Sequence, residues 1–388
     1  MVMTTPALQP LLARVEQVFS DNFINRDELG ASVSVWHGEE EVLALACGFC
    51  DREQTRAWNH ESIVPFWSAT KGLSAACILH LLDHKGIALD DEVAGVWPEF
   101  SRAGKGRLTF AQVLSHQAGL PLLDDRKVSI FDHAGVVAAI EEQEPCWEPG
   151  SRHGYHPRIF GFLLDEIMLR LTGARIGDYF RREFGDPLGL DAWIGLPEAE
   201  HGRVATLYPG RMSDPEGEED FYRAFADPES LTRRAFGSPA GLAAVSGMNA
   251  PEAWHAGWPA LGGIGSARGL AKFYAMLAGG GTWKGKRYFP ENVLQAMSAT
   301  MVSGTDAVFC IPSAFSAGFM KDCPGSGRRR IFGSSDNAFG HPGAGGSLAF
   351  ADPENNLAFA YTMNQMSYGV LPGPRALDMV DALYGLGR

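Results

Sequence analysis

Phe66-Trp67-Ser68-Ala69-Thr70-Lys71-Gly72 is the stretch on which the reading of this chain turns. Downstream of it Ala75, Ile78, Leu79 and Leu82 recur at helical spacing as far as Gly86, a residue suited to the position just past a helix end. Ser68 is therefore expected at or just before the first turn of a buried helix. Lys71, three residues on, shares its face and can bring an ammonium to the serine hydroxyl. A serine is a poor nucleophile until a base takes its proton. A lysine serves as that base only when burial or nearby positive charge has lowered its pKa. The helix N-terminus adds a field that favours negative charge developing near Ser68. Alone, the same pattern also describes a helix-cap serine followed by a surface lysine.

Two further elements give it company. Glu148-Pro149-Gly150-Ser151-Arg152-His153-Gly154-Tyr155-His156-Pro157 is a turn-rich approach to a second helix. That helix has Ile159, Phe160, Leu163, Leu164, Ile167 and Leu171 on its apolar face and Gly173 at its end. Pro157 suits its first position. Tyr155 then projects from the loop ahead of a helix, where a phenol can relay a proton. The other element is Gly340-His341-Pro342-Gly343-Ala344-Gly345-Gly346, directly before the strand 347–351. Glycines beside a strand let a substrate carbonyl come close to the backbone, and the Ala344 amide can donate to it.

Around these elements the chain divides by hydrophobic period. Leu8, Leu11, Leu12, Val15, Val18 and Phe19 mark an amphipathic helix over 6–21, expected to pack on a sheet. Segments 31–36 and 41–46 alternate as a β-hairpin, and 346–351 with 357–362 form another, before a helix over about 374–384. Between them the spacing is mainly helical. The expected fold is α+β: one antiparallel sheet built from both chain ends and flanked by helices, with an inserted, mostly helical subdomain. The sheet-containing part covers about 1–67 and 262–388 of a single catalytic domain, and the helical part about 68–261. Residues 201–260, with their Pro, Gly and acidic content, read as a long irregular loop.

Composition narrows the function. The 388 residues are 45% hydrophobic and 20% charged, with 33 basic against 46 acidic side chains and a net charge of −13. Such a surface repels nucleic acid and anionic lipid. The one dense basic run, Arg328-Arg329-Arg330, reads as a solvated loop. No stretch has the apolar length of a membrane span. The start of the sequence, Met1 to Pro10, carries neither the basic residues nor the apolar run of a signal peptide, so a cytoplasmic location is expected. Six cysteines lack the spacing of a disulfide framework, and Cys47-Gly48-Phe49-Cys50 follows a strand-like run rather than opening a helix. His153 and His156 have no acid, His or Cys cluster to complete a metal site, and His116 reads as a structural histidine. No cofactor or metal is called for.

Three such elements in this order resemble the serine β-lactamase and penicillin-binding-protein superfamily, in its class C β-lactamase-like carboxylesterase branch. Ser68 to Lys71 matches the S-x-x-K box, Tyr155 the tyrosine of the Y-x-N box, and His341-Pro342-Gly343 the K-T-G or H-x-G box. Leu108 to Leu120 and Gly262 to Tyr274 resemble further family segments, so the likeness spans nearly the whole chain. It implies a β-lactamase-like fold with Ser68 as nucleophile and Lys71 and Tyr155 as proton carriers. The amides of Ser68 and Ala344 would hold the oxyanion, with His341, Gly343 and His156 at the substrate.

The departures bear on substrate. Pro157 stands where β-lactamases carry an amide-binding asparagine, and His341 replaces the cationic lysine. Both weaken recognition of an anionic amide. The run 154–161, with histidine directly after the tyrosine, also looks like a carboxylesterase branch. The expected activity is hydrolysis of small-molecule carboxylic esters with short acyl chains. A β-lactamase, a D-amino-acid peptidase or other amide hydrolase, and an acyltransferase use the same site. A degenerate binding module would have lost Ser68, Lys71 or Tyr155.

Overall fold

The computed structural model describes residues 5–211 and 217–386. Its strands in chain order begin with the hairpin β1 (Gly30–His37) and β2 (Glu40–Gly48), then β3 (Val64–Pro65), β4 (Ala192–Ile194) and β5 (Gly263–Gly265). There follow the small pair β6 (Thr282–Trp283) and β7 (Lys286–Arg287), then β8 (Val302–Thr305), β9 (Pro312–Phe315) and β10 (Met320–Lys321). The last are β11 (Phe339–Pro342), β12 (Leu348–Asp352) and β13 (Leu357–Met363). Among the described residues the main sheet runs β2-β1-β13-β12-β11-β10-β9-β8 and is antiparallel throughout. Both chain ends meet inside it, one strand in from the β2 edge, where Val33 pairs with Tyr361 and Val35 with Phe359. This is the sheet expected from the two hairpins.

β12 and β13 are buried at every position, as strands covered on both faces must be. The helix Ala267–Ala278 packs on β1, β12 and β13. The N-terminal helix Thr5–Asn25 buries Leu8, Leu12, Val15 and Phe19, each worth about 1.5–3 kcal/mol. It meets β2, but its main partner is the C-terminal helix Pro374–Leu383, so it rests more on a helix than on the sheet. No helix among the described residues is long and apolar enough to cross a membrane.

The middle of the chain departs from expectation in two places. A second, three-stranded sheet, β3-β5-β4, takes one strand from the stretch read as helical. Residues 201–260 carry short helices at Glu219–Ala226, Leu231–Gly237 and Pro251–Ala256, pinned by buried Phe221, Ala235 and Ala253. Helices of two turns hold too few apolar repeats to stand out from the Pro and Gly around them. Residues 213–216 of the acidic stretch lie outside the described residues, as do the first four of the chain. Nor is the basic run a solvated loop. Arg329 pairs with Asp378 and Asp381 at 2.6 Å each, and Arg330 with Asp336 at 2.9 Å, which cancels its charge locally.

The helix Thr70–Lys85 lies between the helix Ile159–Thr172 and β11, so its N-terminus opens where the helical part meets the sheet. Gly343, just past β11, makes that approach possible. A Cβ there would lie 2.2 Å from the Phe66 carbonyl oxygen and 2.2 Å from Ser347 Oγ. Ser347 Oγ donates to that same carbonyl at 2.9 Å, so the contact joins the sheet to the start of the Ser68 segment. Gly343→Ala is expected to cost about 1–3 kcal/mol of stability, by chemical denaturation, and to damage turnover more than a core substitution of equal cost.

Candidate active site

Ser68 sits in a short 3-10 turn, Trp67–Ala69, that leads from β3 into the helix Thr70–Lys85. The turn is strained: Trp67 has φ +50°, a left-handed conformation that costs a non-glycine residue about 1–3 kcal/mol. Surrounding bonds hold it. The Phe66 amide donates to the Gly263 carbonyl at 3.0 Å, the Gly263 amide donates to Thr70 Oγ1 at 2.8 Å, and the Thr70 hydroxyl donates to the Trp67 carbonyl. The result leaves Ser68, like Trp67, half-exposed at a helix start, while Phe66, Ala69 and Thr70 are buried. The helix ends on Gly86 at φ +66°, as its sequence predicts.

Lys71 is fully buried, and among the described residues no carboxylate pairs with it. Its Nζ lies 3.3 Å from Ser68 Oγ, 2.8 Å from the Pro157 carbonyl oxygen and 2.9 Å from the Ala260 carbonyl oxygen. Burial holds its pKa well below the ordinary lysine value of 10.5. A neutral amine has two N–H bonds and one lone pair. The two carbonyls take the two N–H bonds, which leaves the lone pair facing the Ser68 hydroxyl. The geometry therefore fits the base form of the lysine.

Tyr155 is buried as well, with Lys71 Nζ 4.7 Å from its ring centroid and Phe309 stacked at 4.4 Å. Burial pushes the phenol pKa up and the charge of Asp306 adds to the rise, while a hydrogen bond with Ser68 opposes both. Burial thus acts in opposite directions on the amine and the phenol, and both neutral forms are favoured together. The helix after Tyr155 begins at Ile159 with Arg158 as its cap, so Pro157 precedes the helix rather than opening it. Its carbonyl is the part that matters here.

On the sheet side, His341 is buried in β11. Its Nδ1 donates to the Pro342 carbonyl at 2.7 Å, so Nε2 is an acceptor, and among the described residues it has no partner. Burial lowers its pKa to about 3, which keeps it neutral. The turn after it is closed by the Gly343 amide on Ser347 O at 2.7 Å and the Gly346 amide on Gly343 O at 3.1 Å. The Ala344 amide between them makes no backbone hydrogen bond among the described residues. It is available to a ligand.

One expected contact fails. His156 does not face a substrate: its Nδ1 donates to the Gly154 carbonyl at 2.7 Å and its Nε2 accepts the Leu120 amide at 2.9 Å, inside the fold. Both nitrogens are used, and it braces the loop that carries Tyr155. His116 is structural as read, its Nδ1 accepting the His156 amide at 3.2 Å. His153 is buried against Ser313 at 2.9 Å. The carbonyls of Pro157 and Ala260 escaped the sequence because a backbone oxygen has no residue signature. Asp306, which accepts the Tyr155 amide at 3.0 Å, gave one signal, an acidic residue ahead of the apolar run Ala307-Val308-Phe309. Cavities of about 530, 710 and 660 Å³ open elsewhere, and none is lined by Ser68, Lys71 or Tyr155.

This arrangement of sheet, inserted helices and paired Ser68 and Lys71 has relatives. The Beta-lactamase family model matches residues 12–383. This chain belongs to that family. It is 30% identical over 93% of its length to "Esterase/beta-lactamase LipL" of Mycobacterium tuberculosis, of which 82% is covered. A solved family VIII carboxylesterase superposes with a TM-score of 0.85 at 33% identity, covering 97% of each chain. A penicillin-binding-protein homologue from Caulobacter crescentus does so with a TM-score of 0.84 at 35% identity, again over 97% of each.

Lys71 yields a prediction with a definite sign. Between its folded pKa and 10.5 the unfolded chain holds a proton that the folded chain lacks, so this group lowers stability increasingly as pH falls from 10.5. Lys71→Gln keeps two N–H donors for the carbonyls and removes the titration. Relative to the parent, its melting temperature should rise steadily as pH is lowered from 10.5, while turnover falls by roughly 10²–10⁴-fold, the range for a lost general base. Thermal melts across pH, with a rate assay, check both.

Proposed function

We propose that this protein hydrolyses small-molecule carboxylic esters through an acyl-enzyme on Ser68. The observation that carries the reading is the fully buried, carboxylate-free Lys71 amine 3.3 Å from Ser68 Oγ. Lys71 takes the Ser68 proton as Oγ attacks the ester carbonyl. The amides of Ser68 and Ala344 receive the developing oxyanion, each worth about 2.7–4 kcal/mol where such donors have been removed. When the C–O bond to the alcohol breaks, Tyr155 protonates the leaving oxygen and regains its proton from the Lys71 ammonium. Water then repeats the sequence to release the acid, and Ser68 is restored.

The ester preference follows from what surrounds the nucleophile. Pro157 offers a carbonyl that Lys71 occupies, and no side-chain amide. His341 presents a neutral acceptor where a cation would hold a carboxylate. An anionic lactam or peptide therefore finds neither anchor. The esterase and carboxylesterase names of the relatives support the same reading, and short acyl chains suit it. The name "Esterase/beta-lactamase" and the penicillin-binding homologue keep β-lactam turnover as the second reading. A cytoplasmic location is supported by the six cysteines, all free thiols.

A short-chain nitrophenyl ester assayed with the parent and Ser68→Ala decides the point. The parent is expected to turn over and Ser68→Ala to fall to the buffer rate, a loss of at least about 10³-fold. A chromogenic cephalosporin should be cleaved much more slowly than the ester. Equal ester activity in both proteins would remove Ser68 from the reaction. Fast cephalosporin turnover with poor ester turnover would favour the lactamase reading.

A further inference from the structure

Tyr155 is held by a loop with no part in the reaction as written. Residues 306–311 connect β8 to β9 at the end of the main sheet. Asp306, directly after β8, is fully buried, and among the described residues no lysine or arginine pairs with it. Its carboxylate is met by N–H and O–H donors instead. The Tyr155 amide reaches Oδ1 at 3.0 Å and Oδ2 at 3.1 Å. The amides of Val308 and Phe309 donate to Oδ1 at 2.8 Å each, and the Ser313 hydroxyl to Oδ2 at 3.0 Å. His153 Nε2 stands 3.9 Å from Oδ2.

A local turn would need only the amides of Val308 and Phe309. The Tyr155 amide comes from a distant part of the chain, and it belongs to the residue whose phenol meets Ser68. The same loop also grips the ring, since Phe309 stacks on Tyr155 at 4.4 Å with an 18° angle between planes. The loop itself is fixed. The Cys310 amide donates to Asp306 O at 2.9 Å, the Asp306 amide to Ile311 O at 3.0 Å, and Thr232 Oγ1 to Val308 O at 2.7 Å. A buried carboxylate is costly unless its oxygens are satisfied, and this one is satisfied by tying two segments together.

We propose that Asp306 is the positioning residue of Tyr155: its buried carboxylate ties the tyrosine backbone to the β8–β9 loop and so fixes where the phenol delivers its proton. This rests on the ester-hydrolase reading above. The step concerned is loss of the alcohol. The acyl C–O bond breaks, its electron pair goes to the alkoxide oxygen, Tyr155 supplies the proton, and the Lys71 ammonium returns one to the phenolate. A shift of about 1 Å in the phenol costs on the order of 10²-fold in such a transfer. The Asp306 charge also opposes ionisation of the phenol, as does burial.

The leaving group separates this role from general damage to the fold. An ethyl ester needs its alkoxide protonated, whereas the nitrophenolate of a nitrophenyl ester departs without a proton. With ethyl butyrate and 4-nitrophenyl butyrate the acyl group is the same, and kcat/KM reports acylation. Asp306→Ala is expected to lower the ethyl-to-nitrophenyl ratio of kcat/KM by about 10-fold or more, within the range for general acid catalysis. Asp306→Asn, whose amide oxygen still accepts the Tyr155 N–H, should recover a ratio within about 3-fold of the parent. In a Tyr155→Phe background Asp306→Ala should lower the ratio no further. Asp306→Ser, too short to bridge the amides, carries the same test if the alanine variant does not fold. An unchanged ratio, or an equal fall with and without the Tyr155 hydroxyl, overturns the proposal. Full activity in Ser68→Ala would instead overturn the hydrolase reading beneath it.

Discussion

A buried amine without a counter-charge is the constraint on which the site depends. An ammonium taken out of water is costly unless a carboxylate meets it, and among the described residues the hydrogen-bond partners of Lys71 are a hydroxyl and two carbonyls. The protein resolves this by favouring the uncharged amine. Each unit by which the pKa falls corresponds to about 1.4 kcal/mol, so the fold gives up stability to favour the base form of this amine. Trp67 at φ +50° adds local strain one residue before the nucleophile. Strain and desolvation gathered at one helix start are what a working site needs and what a purely structural helix start would avoid.

The architecture supplies the other half. The groups around Ser68 come from four separated parts of the chain: the helix Thr70–Lys85, the Tyr155 loop, the segment at Ala260 and the β11 turn. A single antiparallel sheet closed by both chain ends lets these converge, because β11 sits inside the sheet while the helical insertion stands against it. Gly343 and Gly263 are small where the parts touch. A Cβ on Gly263 would lie 2.3 Å from the Phe66 ring. Close backbone approach there is a condition of the site, not a by-product of it.

Much of this was legible in the residues. Helical spacing after Lys71, with Gly86 at its end, located the nucleophile's helix, and period-2 runs at the chain ends located the half of the sheet formed by β2, β1, β13 and β12. Ser68, Lys71 and Tyr155 were legible because their chemistry resides in side chains at fixed spacing. Lys71's other two partners were not, since any residue can present a carbonyl. His156 misled for the opposite reason: a histidine beside the tyrosine suggests chemistry, yet both its nitrogens are spent on the backbone. The short helices between 219 and 256 were hidden because two turns carry too little period to read. The arginine run misled because charge along the sequence says nothing of Asp378, Asp381 and Asp336, which neutralise it in space.

The central claim is that burial holds the Lys71 amine well below the ordinary lysine value of 10.5 and so favours its uncharged form. Titrating the protein with ¹⁵N-labelled lysine by NMR, and assigning the Lys71 Nζ signal by its loss in Lys71→Gln, measures this without turnover or substrate. The account predicts a signal that titrates well below those of the surface lysines. A Lys71 signal that titrates beside the surface lysines, near 10.5, would contradict it.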